Sequence, residues 1–404
     1  LGQCGTLRCG TPKCATLLIV RICVWIISLT SHLNYSWEKF YAFGFQYYIS
    51  YNKKVYLLVS TLEVGLMVKD ISTFFSRIMK GDRVALGQAM TLVESEKHTD
   101  RVEAIQLLEL CHQQLSSRDK TIRMAISGAP GVGKSTLLET LGLKAISHAH
   151  KVGVITIDPT SNVSHGSILG DKLRMPGLSL SPDAFVRSSA AGTMLGGIGR
   201  RSYELMTLLE AVGYDIIFLE TVGVGQSEHI AWQLTDGFVL VLQPGGGDEL
   251  QGIKRGITEL ADIVIINKSD GSLRDSASVS KSHIQNAIHY LAPLRNNWEP
   301  TVLKCSAKEG EGIDELWDVL RSYMDTRWKG NQKDIERNRQ NQLWLAWSVG
   351  IIANQLLVNH PVVQQKLSER LASTGNRSIP IFKAEYEIEE VMKELIVPST
   401  TNNT

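Results

Sequence analysis

Apolar positions along the chain change their period as the sequence proceeds. Over Val68–Leu115 they recur at helical spacing, with Ile71, Phe74, Phe75 and Ile78 followed by Val84, Leu86, Ala89, Leu92 and Val93, and breakers are few. Such spacing lines one face of a helix, so two to four helices are predicted there. Beyond residue 121 the pattern turns into short continuous apolar runs: Ile122–Ser127, Val152–Ile157, Ile216–Leu219, Phe238–Leu242, Ile263–Ile266 and Thr301–Cys305. Helical patterns separate several of them, among them Ser135–Ala149, Arg201–Val212 and Gly312–Tyr323. A strand that is apolar on successive residues must be covered on both faces. Its alternation with helices predicts an α/β fold with a mostly parallel sheet, whose ligands sit at the carboxyl ends of the strands. From about Asn331 the strand runs stop, and Gln342–Val358 is strongly helical.

These changes divide the chain into an N-terminal helical region over 67–118, an α/β domain over 119–329 and a C-terminal helical extension over 330–404, in which a dimerisation arm is expected. Residues 1–66 stand apart. They hold Cys4, Cys9, Cys14 and Cys23, four of the six Cys of the chain, but only Glu38 and Glu63 as acidic residues. Three readings of this leader compete. Arg8 and Lys13 ahead of Ala15–Leu29 resemble a signal peptide or anchor, but Arg21 splits the apolar stretch into pieces far below the ~20 residues that span a bilayer. A mitochondrial transit peptide should be amphipathic and rich in Arg and Ser, whereas this segment has consecutive apolar residues and runs of Tyr. The reading adopted is translated upstream sequence that is no part of the folded protein, with Met67 as the start. The clustered cysteines lack a partner set for disulfides or zinc. Cys111 and Cys305 are expected to be buried thiols.

Composition adds exclusions. With 43% hydrophobic and 21% charged residues and a formal net charge of +1, the chain is neither largely disordered nor basic enough to expect nucleic acid as a partner. No membrane partner is expected either.

The strongest chemical signal is Gly128-Ala129-Pro130-Gly131-Val132-Gly133-Lys134-Ser135, followed by Thr136, which fits the P-loop pattern G-x-x-x-x-G-K-[ST]. It follows a predicted strand and opens a predicted helix, where backbone N–H groups can converge on phosphate oxygens and the helix N-terminus favours an anion. Lys134 can reach the outer phosphates and Ser135 can ligate Mg²⁺. Base choice is addressed by Asn267-Lys268-Ser269-Asp270 after the run Ile263–Ile266. In an N-K-x-D loop the aspartate accepts hydrogen bonds from guanine N1–H and the exocyclic amine, donors that adenine does not present in that arrangement. Ser306-Ala307-Lys308 after Thr301–Cys305 matches a further guanine-contacting loop, so GTP and GDP are the expected ligands.

Between these motifs lie candidates for sensing the γ-phosphate. Glu220 and Gly223 follow the run Ile216–Leu219, an acid placed near Mg²⁺ and a glycine whose N–H faces the terminal phosphate. Asp158 ends the run Val152–Ile157. Asp171 lies in a loop rich in Gly and Ser, and Gly245–Lys254, with Asp248 and Lys254, suits a switch. The expected metal ligands are Ser135, Asp158 and Glu220. A plain turn, cap or solvated loop is the alternative for Asp158, Asp171 and Gly245–Lys254.

Asp158-Pro-Thr, Gly166-Ser-Ile-Leu-Gly-Asp-Lys172, Leu195-Gly-Gly197, Glu220-Thr-Val-Gly-Val-Gly-Gln-Ser-Glu228 and Gly246-Gly-Asp-Glu-Leu-Gln-Gly-Ile-Lys254, in this order with the P-loop, resemble the GTPase chaperones of methylmalonyl-CoA mutase. This is the MeaB or ArgK type, in animals the methylmalonic aciduria type A protein. The resemblance runs from about Met67 to Lys329. It implies a P-loop NTPase fold and a homodimeric GTPase with slow intrinsic hydrolysis. It also implies docking on the cobalamin-dependent mutase, gating of adenosylcobalamin delivery, and protection or reactivation of that enzyme. Adenosylcobalamin would enter only through the partner. By the same resemblance, Lys134, Ser135, Asp158, Asp171 and Glu220 match phosphate, Mg²⁺ and switch residues. Asp248 and Lys254 match the loop that responds to the mutase, and Asn267, Lys268 and Asp270 match the guanine site. The location implied is cytoplasmic in a bacterium and the mitochondrial matrix in a eukaryote.

The chain departs from the family pattern at Ser161-Asn-Val-Ser-His165, which lacks the second glycine before Gly166, and at Leu173, where threonine is usual; both fall in the first switch. No Gln stands beside Gly223, and Gln226 lies three residues on. Catalysis is therefore expected to be electrostatic, from Mg²⁺, Lys134 and switch residues, with Lys254 moving in when the partner binds. Three other functions fit less of the chain. A GTPase delivering nickel usually carries His or Cys clusters, whereas the ten His here are scattered. A transport-linked kinase using ATP is opposed by the intact N-K-x-D. A scaffold using nucleotide only structurally is separated by measuring turnover.

Overall fold

The computed structural model describes residues 39–42, 45–48, 71–115, 120–158, 173–190, 201–221, 223, 227–245, 255–290, 294–295, 298–375 and 380–396. The chain divides into two units, Leu1–Asp70 and Ile71–Thr404. In the first, β1 (Lys39–Ala42) and β2 (Phe45–Tyr48) pair antiparallel, with Ala42 opposite Phe45. Their aromatic residues suit a strand. The rest of the leader lies outside the described residues.

The second unit opens with three helices: α1 over 71–79, α2 (Arg83–Glu94) and α3 (His98–Leu115). Asp82 caps α2 by accepting the Val84 and Ala85 N–H groups, both at 3.0 Å. Seven parallel strands follow: β3 (Ile122–Ser127), β4 (Val152–Asp158), β5 (Ala184–Ala190), β6 (Ile216–Glu220), β7 (Gly237–Leu242), β8 (Ile263–Ile266) and β9 (Thr301–Lys304). Their order in the sheet is β5-β4-β6-β3-β7-β8-β9, and every neighbouring pair is parallel. The chain leaves β3 toward one edge, returns beside it as β6 and then builds the other half. The carboxyl end of β3 is thus the switch point where such sheets take ligands.

Alternate residues of each strand feed two cores, which explains why the runs are apolar throughout. Ile122, Met124 and Ile126 with Ile216 and Phe218 face one side. There they meet Leu137, Leu138 and Leu141 of α4 (Lys134–Ser147) and Trp317, Leu320 and Met324 of α10 (Ile313–Arg327). Ala125, Ile217, Leu219, Phe238 and Leu240 face the other, with α1 to α3 and with α6 (Ser202–Val212). The short helix α5 (Pro176–Leu180) precedes β5, α7 (Ser227–Leu234) and α8 (Arg255–Leu260) flank β7, and α9 (Arg274–His289) precedes β9. Cys111 and Cys305 are free and buried, and burial pushes both thiols up to about 12.

Two elements lack the apolar signal that marks the others. β5 is an edge strand, and Arg187, Ser188 and Ser189 interrupt its pattern because only β4 pairs with it. Its Arg187 turns to the N-terminal helices instead, bonding Glu94 and, at 3.3 Å, Thr91. In α9 the buried stripe is Ala277, Ser280, Ile284 and Ile288, half of it small residues.

The tail forms α11 (Gln332–Val358), α12 (Pro361–Gly375) and α13 (Ile381–Ile396). The first half of α11 is clamped to the amino-terminal end of the sheet by a buried charge cluster. Asp236 accepts Arg337 Nη1 at 2.6 Å, Gln340 Nε2 at 3.1 Å and the Arg123 N–H at 2.7 Å. Glu210 of α6 joins Arg123 Nη2 at 2.7 Å, Lys333 at 3.3 Å and Arg337 at 3.4 Å. Tyr203 stacks on Trp344 with ring centroids 5.4 Å apart. Among the described residues no helix is long and apolar enough to cross a membrane.

Candidate functional site

The loop 128–133 leaves the carboxyl end of β3 and enters α4 at Lys134. Gly128 sits at φ 151°, and a Cβ there would lie 2.1 Å from the Val241 carbonyl oxygen, so only glycine lets the loop cross β7. No side chain caps α4 at Gly133, which leaves its first N–H groups to a ligand. Lys134 is 8% exposed, and its Nζ donates to the carbonyls of Gly128 at 2.8 Å and Ala129 at 3.4 Å. Burial holds its ammonium below the usual lysine value, opposed by Glu220 and Glu228 and reinforced by Arg174.

Glu220 ends β6, beside β3, and its Oε1 accepts the Ser135 hydroxyl at 3.0 Å. Two hard oxygen donors in contact at the mouth of a P-loop fit Mg²⁺, which takes one or two protein oxygens besides phosphate and water. Asp158 ends β4, whose Thr156 is in register with Glu220, so its backbone stands at the same end of the sheet. Thr221 binds the tip of β6 to β3 through Ser127 Oγ at 2.9 Å. Next comes Gly223 at φ 88°, where a Cβ would stand 1.9 Å from the Gly128 carbonyl oxygen and 3.1 Å from Lys134 Nζ. The backbone after β6 therefore lies directly on the P-loop.

Asn267 couples the loop after β8 to the P-loop. Its Nδ2 donates to the Val132 carbonyl at 2.8 Å, and its Oδ1 accepts the Ala307 N–H at 3.0 Å and the Cys305 thiol at 3.5 Å. Thr140 of α4 donates to the Ala307 carbonyl at 2.8 Å. One side chain thus joins the P-loop, the loop after β8 and the loop after β9, none of which is near another in sequence. Lys268 adopts φ 58°, a left-handed conformation that non-glycine residues enter at a cost of order 1 kcal/mol. Its Nζ reaches Gln243 Oε1 at 3.4 Å, and Asp270 is half-buried beside it. Ser306 is buried and closes its loop by pairing with Glu311, while Lys308 is exposed.

A sequence-family model described as methylmalonyl-CoA mutase-associated GTPase MeaB matches residues 86–362. The chain belongs to the MeaB family. A putative GTPase of Caulobacter vibrioides is 41% identical over 282 residues, 69% of this chain and 84% of that protein. The methylmalonic aciduria type A homolog, mitochondrial, of Mus musculus is 40% identical over 318 residues, 76% of each chain. GTPase ArgK of Escherichia coli is 41% identical over 67% of this chain and 80% of its own length. Among solved structures, the crystal structure of a LAO/AO transport system kinase superposes with a TM-score of 0.61 at 30% identity, covering 80% of this chain and 97% of that one. The fold is that of a P-loop NTPase, and this member of the MeaB family hydrolyses GTP to GDP and phosphate.

Of the residues expected at a MeaB-family site, Lys134, Ser135, Glu220 and Gly223 are brought together, and Asn267, Lys268, Asp270, Ser306 and Ala307 form a second group joined to them through Val132. Asp171, Asp248 and Lys254 lie outside the described residues, as do Gln226 and the loop 161–165. β4 and β7 both end at the side of the sheet where the P-loop stands. Leu173, the described departure in the first switch, is exposed. Thr140 and Cys305 escape a motif reading because neither belongs to a pattern; only the packing shows them bracing the loops after β8 and β9. Glu228 was visible within the motif that begins at Glu220, but spacing alone assigns it no task.

Proposed function

We propose that this protein is a GTP-hydrolysing chaperone of methylmalonyl-CoA mutase that gates adenosylcobalamin loading and protects or reactivates the mutase, acting as a homodimer. The observation that carries this is the match of residues 86–362 to a family described by its association with that mutase. The methylmalonic aciduria name of the Mus musculus relative supports it.

Lys134 and the N–H groups at the start of α4 bind the phosphates. Ser135, Glu220 and Asp158 hold Mg²⁺, which when bound neutralises phosphate charge. Gly223, resting on Gly128 and Lys134, is placed to report the terminal phosphate to the chain beyond β6, and Asp171, Asp248 and Lys254 carry that report to the mutase. Asn267 keeps the base loop in register with the P-loop, and Asp270 reads guanine. Because two hydrogen bonds to a carboxylate are at stake, each worth ~1.5–3 kcal/mol, Asp270→Ala is expected to weaken GTP by more than ~100-fold and leave ATP binding unchanged. Competition titrations with both nucleotides check this.

The second half of α11 presents Leu345, Val349, Ile352 and Leu356, each 46–69% exposed and spaced four, three and four residues apart. That is the seam of a two-helix contact, and it supports the dimer. Val349→Glu combined with Leu356→Glu is expected to turn the dimer into a monomer by light scattering, with GTP binding intact.

Copurification of the protein with methylmalonyl-CoA mutase in GTP, in GDP and without nucleotide tests the function. Absence of a complex in all three rejects it. A transport-linked kinase is favoured by one observation, the likeness at 30% identity to a LAO/AO transport system kinase. Phosphoryl transfer from ATP in preference to GTP would establish that reading.

A further inference from the structure

Glu228 stands on the first turn of α7 and is 2% exposed, yet its Oε2 has no hydrogen-bond partner among the described residues. A buried carboxylate oxygen is ordinarily hydrogen-bonded, because leaving it bare costs ~1–3 kcal/mol or more. The helix N-terminus eases the charge but supplies no bond to that oxygen. A buried polar atom without a partner calls for an explanation, and a catalytic or binding role is one of them.

Its surroundings say which function. Lys134 feels two carboxylates, Glu220 and Glu228. Glu220 is engaged with the Ser135 hydroxyl at 3.0 Å, whereas no described residue bonds Glu228 Oε2. The Lys134 ammonium is meanwhile held on carbonyls of its own loop, Gly128 and Ala129, 3.1 Å from where a Cβ of Gly223 would be. The helix carrying Glu228 begins four residues after Gly223 and packs across β3 and β7, the strands that frame the P-loop. A negative charge is therefore built in near the cation that must greet the nucleotide.

We propose that Glu228 is a specificity-determining residue that sets the balance between GTP and GDP. While the site is empty, its charge balances Lys134. When a nucleotide draws Lys134 onto the phosphates, the charge of Glu228 is left near them without its counter-ion. A fully ionised triphosphate carries one more negative charge than a diphosphate, so the carboxylate penalises GTP more than GDP. In a water-poor site this repulsion is not screened as it is at a surface. The proposal rests on GTP binding by this chain and is independent of the identity of the client.

The test compares Glu228→Gln and Glu228→Asp with the unaltered protein, by titration with GDP and with guanosine 5′-(β,γ-imido)triphosphate in the presence of Mg²⁺ and no mutase. Glu228→Gln keeps the shape and removes the charge, and it is expected to raise the affinity ratio of triphosphate over diphosphate by about tenfold. Glu228→Asp is expected to keep the ratio of the unaltered protein. An unchanged ratio in Glu228→Gln overturns the proposal. So does a parallel loss of both affinities with a lowered melting midpoint, which marks a structural role. If Glu228→Gln misfolds, a ratio in Glu228→Asp that departs from the unaltered value by tenfold or more likewise overturns it. Failure of this test leaves mutase binding untouched, and failure of mutase binding leaves this test untouched.

Discussion

Replacing Lys134 by alanine is expected to reduce GTP turnover by ~100- to 1,000-fold, the usual effect of removing one pre-placed donor from a developing oxyanion. Two features of the site make this loss specific to chemistry. Lys134 Nζ already points along the P-loop, at 2.8 Å from the Gly128 carbonyl, and the Gly223 backbone is packed close to it. Burial disfavours the ammonium and holds its pKa below the usual lysine value, so the folded protein gains little from it. The melting midpoint without nucleotide is therefore expected to stay unchanged or rise slightly, while the rise produced by added GTP disappears. Single-turnover hydrolysis and thermal unfolding with and without GTP measure both. A variant that unfolds in the absence of nucleotide would show that Lys134 holds the loop together and that its loss of activity says nothing about phosphate binding.

The second large effect is on stability and lies at the opposite end of the sheet. Asp236→Ala removes the acceptor of Arg337, Gln340 and the Arg123 N–H, and leaves Arg337 and Arg123 to share Glu210 in an interior site. Breaking a buried pair in this way costs about 3–5 kcal/mol, because one charge stays buried without compensation. Burial alone would push the Asp236 carboxyl up, but Arg337, the Arg123 N–H, Arg123 and Gln340 outweigh it and hold it below the ordinary range. Glu210 is likewise held down against its own burial, by Arg123, Arg337 and Lys333. A depressed folded pKa means that the unfolded chain takes up protons first. The stability from these groups is thus complete above the unfolded carboxyl values of about 4 and is lost as pH falls through the folded ones. Urea unfolding is expected to show a lower midpoint for Asp236→Ala at neutral pH and a shallower loss of stability below about pH 4 than in the unaltered protein. Equal stability of the two at neutral pH would mean that the cluster adds no net stability. The first half of α11 would separate from the sheet in this variant, while hydrolysis, at the other end of the strands, would persist at temperatures where the domain remains folded.

How much was legible beforehand depends on burial. β3, β6, β7 and β8 announce themselves because each is covered on both faces, so successive residues are apolar. β5 does not, since an edge strand has one partner and its Arg187 serves a contact with Glu94. α9 is faint because small residues, Ala277 and Ser280, let it approach the sheet. At the proposed site, the P-loop and the Asn-Lys-Ser-Asp loop stand out in the sequence because phosphate and guanine would each demand particular groups at fixed short spacing. Thr140 and Cys305 could not, since each supports another loop and any residue with a suitable donor would meet that need.

The sequence by itself determined the local patterns: which loop matches a phosphate-binding motif, which matches a guanine-binding one, and which stretches become strands or helices. These follow from neighbours a few residues apart, where backbone freedom and side-chain type decide the outcome. Only the tertiary structure decided what crosses long distances along the chain. It placed Glu220 on Ser135, folded the backbone of Gly223 onto Gly128, made Asn267 the joint of three loops, and anchored α11 through Asp236 and Glu210. It also buried Glu228 with an oxygen that no described residue bonds. Such pairings depend on sheet order and on the exclusion of water, which strengthens each charge in the interior, and neither is written into the spacing of residues.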